Sequence, residues 1–385
     1  MKRIVICCDG SGADKLERQP SNVLMMYRAT RGFEPGQISW YEAGVGTGTL
    51  WNRFRGGVYG DGLTRSIQRA YMHLVEHYEP GDEVFLFGWS RGAFTVRSLV
   101  GLIKNIGLLT PERAACFPVG LEMYRRKTCG PNSDIARRFR EQNSIDMPVK
   151  FMGVWDTVGS MGIPARRFSR DGSWMKKYGF HDERLTTMVE NAHQALAIDE
   201  KRGTFKPVIW HDPEAPKPDS TEANKSDDDL IKQHPACFAE SGSVSVAIVR
   251  PKQTVVQEWF RGCHSDIGGT NVPAGLSNLT FHWLTNRAKD FNLQINEAGD
   301  RHLQINERYA ALHANLGVKQ EIHESLHWIY RILPKYRRPI GMTYPKVEAI
   351  NASVLELVES SPETYHPKNL TDYFSRHPRL LQDND

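Results

Sequence analysis

Apolar positions along this chain fall into short unbroken runs and longer stretches at helical spacing, and the two kinds alternate. "RIVICC" near the start is a continuous apolar run closed by Asp9 and Gly10. A run without polar alternation predicts a strand buried on both faces, and the Asp-Gly after it a tight loop. "NVLMMYRATRG" carries its apolar residues at helical spacing and stops at Gly32. "QISWYEAGVGTG" predicts a second strand entering a glycine-rich loop, which "GGVYGDGL" continues. "LTRSIQRAYMHLVEHY" is amphipathic with a period near 3.6, and "EPGDE" ends it. "VFLFGW" follows as a third strand, then "RGAFTVRSLVGLIKNIG" as a helix with Gly107 past its end. "MPVKFMGVWD" and "QTVVQEWF" predict later strands, one ending at Asp156 and one just before His264. Between them His193 falls in a pattern that reads as helical. From about Asn278 the spacing is helical again, turning proline-rich at "LPKYRRPIG".

Strands alternating with helices predict an α/β fold with a mostly parallel central sheet flanked by helices, carrying helical and loop insertions. No internal repeat and no sharp boundary interrupts the pattern, so 1–385 is expected to be a single domain. Within it, 213–235 ("PEAPKPDSTEANKSDDDLIKQHP") is polar and rich in Pro, Asp and Lys, and is expected to be a flexible insertion loop.

Composition narrows the field without choosing a function. A chain of 385 residues buries a large core, and 40% hydrophobic with 24% charged residues is ordinary globular content. The net charge of +4 is too mild to imply a nucleic-acid partner. No apolar run reaches the ~18 residues of a spanning helix, and "MKRIVICCDGSG" reads as a strand rather than a secretory leader. A cytoplasmic location is the expectation. The six cysteines, Cys7, Cys8, Cys116, Cys129, Cys237 and Cys263, form no Cys-x-x-Cys pair and no dense framework. Buried or free thiols in a reducing compartment are expected, without zinc.

Chemistry enters at "GWSRG", where the third predicted strand breaks and a helix resumes. A sharp strand-to-helix turn there lifts the Ser90 side chain above the sheet edge. Gly88 and Gly92 let strand and helix cross closely, and the helix start brings the Arg91 N–H beside the serine oxygen as an oxyanion donor. This is the nucleophile elbow of α/β-hydrolases. Such a serine needs a base, and the base an orienting acid, in the chain order Ser, Asp or Glu, His. Asp156 and His264 satisfy that order, and both lie at predicted strand ends, where open α/β sheets bind ligands. Asp156 also fits a cap for the turn "DTVGS", and His264 an ordinary loop histidine. Asp199 and Asp266 compete as acids, His181 and His193 as bases.

Wider signatures surround these residues: "ICCDGS", "YEAGVGTG", "YEPGDEVFLFGWSRGAFTVRSLVGLIKNIGLL", "FMGVWDTVGS", "AHQALAIDEKRGTF", "VVQEWFRGCHSDIGG" and "SVLELVESSPETYHPKNL". Together they resemble a widespread α/β-hydrolase domain family of bacteria and fungi that includes phospholipase effectors of the type VI secretion system. The resemblance implies Ser90 as nucleophile, Asp156 as acid and His264 as base. It puts a second oxyanion donor in the loop of Gly10 and Ser11, where family members have Asp-Gly-Thr. It implies a serine hydrolase acting on carboxylic esters, foremost lipids, with no metal or organic cofactor. A small-acyl esterase or thioesterase, or a catalytically silent binding protein, is the alternative.

Aromatic residues Trp51, Phe54, Tyr59, Trp89 and Phe94 cluster near the loops expected to rim the site; they suit an acyl chain and equally suit a core. Basic groups at 125–127, 166–170 and 336–339 face either solvent or an anionic lipid surface, so peripheral membrane contact and export by a signal-independent secretion system are expectations to test.

Overall fold

The computed structural model describes residues 1–10, 19–44, 56–126, 128–159, 185–210, 225–239, 252–296, 322–326, 335–342, 347–360 and 363–378. Side chains of 56–61 and 225–228 lie outside that description. Strands are β1 (Arg3–Cys8), β2 (Gln37–Glu42), β3 (Glu83–Trp89), β4 (Leu108–Leu109), β5 (Ser144–Ile145), β6 (Val149–Trp155), β7 (Val189–Ala197), β8 (Thr254–Phe260) and β9 (Glu348–Ile350). Helices are α1 (Asn22–Ala29), α2 (Gly56–His77), α3 (Arg91–Ile106), α4 (Phe117–Arg125), α5 (Asp134–Asn143), α6 (Lys225–Gln233), α7 (His264–Gly268), α8 (Gly275–Lys289), α9 (Ala352–Ser360) and α10 (Lys368–Arg376).

Among the described residues, seven strands form one sheet in the order β2-β1-β3-β6-β7-β8-β9, and every pairing is parallel. Parallel sheets need both faces covered, which explains the unbroken apolar runs. β1, β3, β6 and β7 are buried almost throughout, whereas β2 is mostly half-buried. Alternate residues serve opposite faces. Ile4, Ile6, Val84, Leu86, Met152 and Val154 join a core with α2 to α5, while Val5, Phe85, Phe87, Phe151 and Trp155 pack with α1 and α8. A third core around Trp259, Ile350, Val354 and Phe374 seats α9 and α10 beside β8 and β9.

The chain winds from β1 out to β2, then back past β1 to β3. Winding therefore reverses between β1 and β3, and in open α/β sheets ligands bind outside the carboxyl ends of the strands at such a switch point.

Three sequence expectations are corrected. The strand β7 contains His193, in a stretch whose spacing reads as helical. The segment "GGVYGDGL" opens α2 rather than prolonging a loop. Two of the six cysteines, Cys116 and Cys237, form a disulfide with Cα atoms 5.8 Å apart, a normal bridge separation; the other four are buried and form no disulfide. Sequence spacing hid that bridge because 121 residues separate its ends. Within 213–235, residues 213–224 lie outside the described residues. Lys225–Gln233 is the helix α6, whose Leu230 is buried.

Candidate active site

Ser90 is the residue between β3 and α3. Its backbone has φ 57° and ψ −120°, a region L-residues rarely enter, and costs of order 1–3 kcal/mol are usual for such strain. The surroundings enforce it. A Cβ on Gly92 would sit 2.0 Å from the Cys8 carbonyl oxygen, and one on Gly88 2.6 Å from the Gly92 oxygen. β1, β3 and α3 thus meet at backbone contact, and only glycine fits. The Ser90 N–H donates to the Trp155 carbonyl at 3.0 Å, tying the turn to the end of β6.

Serine at a helix start usually spends its oxygen on a capping bond. Ser21 does so for α1 and Ser133 for α5. Ser90 makes no such bond although it occupies the same position for α3.

Asp156 follows β6, the neighbour of β3, and also has a positive φ, 40°. It is fully buried. Its Oδ2 lies 2.5 Å from His264 Nδ1, and its Oδ1 accepts from the Ala197 N–H at 3.0 Å. Arg338 completes the shell: Nη1 lies 2.5 Å from Oδ1 and Nη2 2.9 Å from Oδ2. Burial pushes the carboxyl pKa up, but the Arg338 charge and then the His264 hydrogen bond outweigh it and hold the group well below the usual carboxylate range.

His264 opens α7 after β8. Its own N–H donates to Glu200 Oε2 at 3.2 Å, and a capping box of Cys263 and Asp266 shapes the helix start. The ring is 3% exposed and is flanked by Trp89 at 5.4 Å and by the edge of Phe205 at 4.9 Å. Trp89 in turn lies against Gly268, where a Cβ would fall 1.9 Å from the indole Nε1. Nε2 of His264 is buried and makes no hydrogen bond. Burial lowers the imidazole pKa, Asp156 pulls it back up, and the net shift is downward. An imidazole with Nδ1 on a carboxylate and Nε2 unengaged is set as a neutral base.

The competing acids are engaged elsewhere. Asp266 accepts from His323 Nδ1 at 2.6 Å and Asn271 Nδ2 at 2.7 Å. Asp199 accepts from the Gly262 N–H at 2.7 Å and the Tyr365 hydroxyl at 2.8 Å, and burial pushes its pKa up to about 6. His193 lies in the core, stacked on Phe151 at 5.0 Å, and His181 lies outside the described residues.

Around the expected oxyanion loop, the Gly10 N–H donates to Asp9 Oδ1 at 2.7 Å, and Asp9 also accepts from Ser21 and Tyr41. Ser11, Trp51 and Phe54 lie outside the described residues, as does the Tyr59 side chain. Trp89 and Phe94 are packed into the two cores. Arg338, read from sequence within a surface basic group, is instead 1% exposed; nothing local marks it, because its partner Asp156 is 182 residues away. Among the described residues no group of three or more His, Cys, Asp or Glu is placed to hold a metal ion, and no helix is long and apolar enough to cross a membrane.

A parallel sheet with a strained serine elbow at its switch point, and a carboxylate–histidine pair supplied from the ends of β6 and β8, defines an α/β fold of the hydrolase type. Residues 2–287 match the catalytic domain of Tle1-like phospholipase effectors of the type VI secretion system, and the chain belongs to that family. It is also 28% identical over 233 residues to an uncharacterised protein of Saccharomyces cerevisiae, covering 54% of this chain and 33% of that one. Among solved structures it is similar to an uncharacterised protein from Pseudomonas aeruginosa, with TM-score 0.41, 13% identity, and coverage of 79% of this chain and 48% of that one. It is similar too to a Tle1 effector solved bound to the VgrG spike of the type VI system, with TM-score 0.39, 16% identity, and coverage of 70% and 51%. The chain thus spans about a third of the yeast relative. It spans about half of each structural neighbour.

Proposed function

We propose that this protein is a serine hydrolase that cleaves carboxylic ester bonds of lipids, as a phospholipase, through Ser90, Asp156 and His264. The observation that carries the reading is the 2.5 Å pair of His264 and Asp156, set at the same sheet edge as a serine whose hydroxyl is not spent on capping. Family membership supports a lipid substrate.

In this mechanism His264 Nε2 takes the Ser90 proton as Oγ attacks the ester carbonyl carbon. Asp156 holds the imidazole with Nδ1 protonated and stabilises the imidazolium. The tetrahedral intermediate collapses as His264 returns the proton to the leaving alcohol, leaving an acyl-serine, and water repeats the cycle to release the acid. The Arg91 N–H at the start of α3 supplies one oxyanion donor. With the Gly10 N–H committed to Asp9, the second falls to the Ser11 N–H unless the Gly10 peptide turns. Each such donor contributes roughly 3 kcal/mol at the transition state. The substrate is met at a lipid surface by peripheral contact, and export by a type VI system follows from the family's effectors rather than from the site.

Purified protein is expected to react with a fluorophosphonate probe at Ser90 and to release fatty acid from phospholipid vesicles. Ser90→Ala should abolish both while the fold is kept, since the change removes little volume. Activity on p-nitrophenyl or thioester substrates but not on phospholipid would favour the small-acyl enzyme. No labelling and no turnover on any ester would favour a silent hydrolase fold that binds a partner.

A further inference from the structure

Arg338 belongs to no part of the serine–histidine chemistry as sequence reveals it, and it lies beyond residues 2–287 matched by the family's catalytic domain. Its guanidinium is nonetheless fully buried against the triad acid. Four hydrogen bonds fix it: two to the Asp156 carboxylate, one to the Ala197 carbonyl at 3.0 Å and one to the Phe205 carbonyl at 2.8 Å. Phe205 is the ring that abuts His264, so the same guanidinium holds the acid and one wall of the base. Two parallel N–H···O bonds to one carboxylate set its plane as well as its charge state.

We propose that Arg338 is a positioning residue of the relay, orienting Asp156 through both oxygens and cancelling its charge, so that His264 has no net anion beside it in the resting protein. The proposal rests on the hydrolase reading above. Charges facing the imidazole come from every element around it. Asp156 follows β6. Glu200 and Arg202 follow β7, with Arg202 bonded to Glu200 at 2.7 and 2.8 Å. Arg338 comes from 335–342. The β3 end contributes Trp89 and Ser90, which carry no charge, and Asp266 on α7 is directed at His323. Two carboxylates and two guanidiniums sum to zero around a neutral ring. Protonating that ring alone leaves a buried net positive charge. Protonating it while an oxyanion forms on the substrate does not. The arrangement therefore favours the imidazolium in the transition state over the imidazolium in the resting protein, which is the differential stabilisation that raises rate. It also keeps His264 a working base in mildly acidic solution.

The test is the pH dependence of fluorophosphonate labelling of Ser90 in the full chain, compared for wild type, Arg338→Met and Arg338→Lys, with folding checked by circular dichroism. Wild type is expected to lose reactivity only below pH 6.5. Arg338→Met leaves an uncompensated carboxylate on the ring and should move that limb up by about one pH unit or more. Arg338→Lys keeps the charge but not the fork, so its limb should stay near wild type while its plateau rate falls about tenfold to a hundredfold. A folded Arg338→Met with the wild-type limb overturns the proposal. Should both variants unfold, histidine carbon NMR on the wild-type protein decides. The His264 signal, assigned with His264→Gln, should remain that of a neutral ring down to pH 6.5, and titration above pH 7 overturns the proposal. Wild type that never labels would sink the serine-hydrolase reading instead, and the NMR titration would still judge Arg338.

Discussion

His193 and His264 are buried histidines one strand apart, and their surroundings give them opposite roles. His264 has a carboxylate on Nδ1. His193 has no partner on either ring nitrogen, stacks on Phe151 and meets Trp283 edge-to-face. Burial, helped by nearby Arg287, lowers its pKa to about 3. The unfolded chain takes up a proton there near pH 6.5 and the folded protein only near 3, so stability drains away as pH falls through that window, at up to about 1.4 kcal/mol per pH unit. His193→Phe should remove this contribution. Urea melts at pH 7 and pH 4.5 should show a smaller loss on acidification for the variant than for wild type; equal losses would mean that the folded protein protonates His193. At the site, Asp156→Asn should cut turnover by about 10⁴-fold, by analogy with removal of the orienting acid in other triads. Ser90, Asp156 and His264 could be picked out of the sequence because each stands where an apolar run ends in turn residues. Arg338 could not, since burial of a lone arginine in a basic, proline-containing stretch has no local signature.

The elbow is a property of three elements together, β1, β3 and α3. Gly92→Ala places a methyl against the Cys8 carbonyl at 2.0 Å, and a backbone atom cannot swing away as a side chain would. The substitution should cost at least about 2–3 kcal/mol, the upper range for overpacking, and reduce serine labelling with it. Gly130→Ala, where the added carbon meets nothing within 4 Å, should stay within about 0.5 kcal/mol of wild type and serves as the control. A stable Gly92→Ala protein with full labelling would mean that β1 and α3 can part without consequence. Element type was legible wherever pattern and propensity agreed, as in β1, β3 and α3. "VENAHQALA" shows the opposite case: Ala, Leu, Gln and Glu favour a helix, but the segment pairs β6 and β8 along its length, and tertiary pairing overrides local preference.

At the scale of the whole molecule, distant segments are joined by contacts that spacing does not announce. The Cys116–Cys237 bridge links the start of α4 to the short turn after α6, and Asn143 and Arg138 also bond that turn through the Cys237 and Phe238 carbonyls. Denatured, unreduced protein should show four reactive thiols rather than six, and reduction should lower stability by about 2–4 kcal/mol in urea melts. A count of six would remove the bridge from the solution structure. The position of Arg338 late in the chain has a further consequence, which concerns time rather than space. On a ribosome adding about 5–20 residues per second, His264 is made several seconds before Arg338. During that interval Asp156 can enter the core only as an uncompensated carboxylate, a state that costs several kcal/mol. A nascent chain stalled after residue 330 should therefore need a higher pH than the released protein to react with a fluorophosphonate, so the site comes into its working range only after Arg338 has been added.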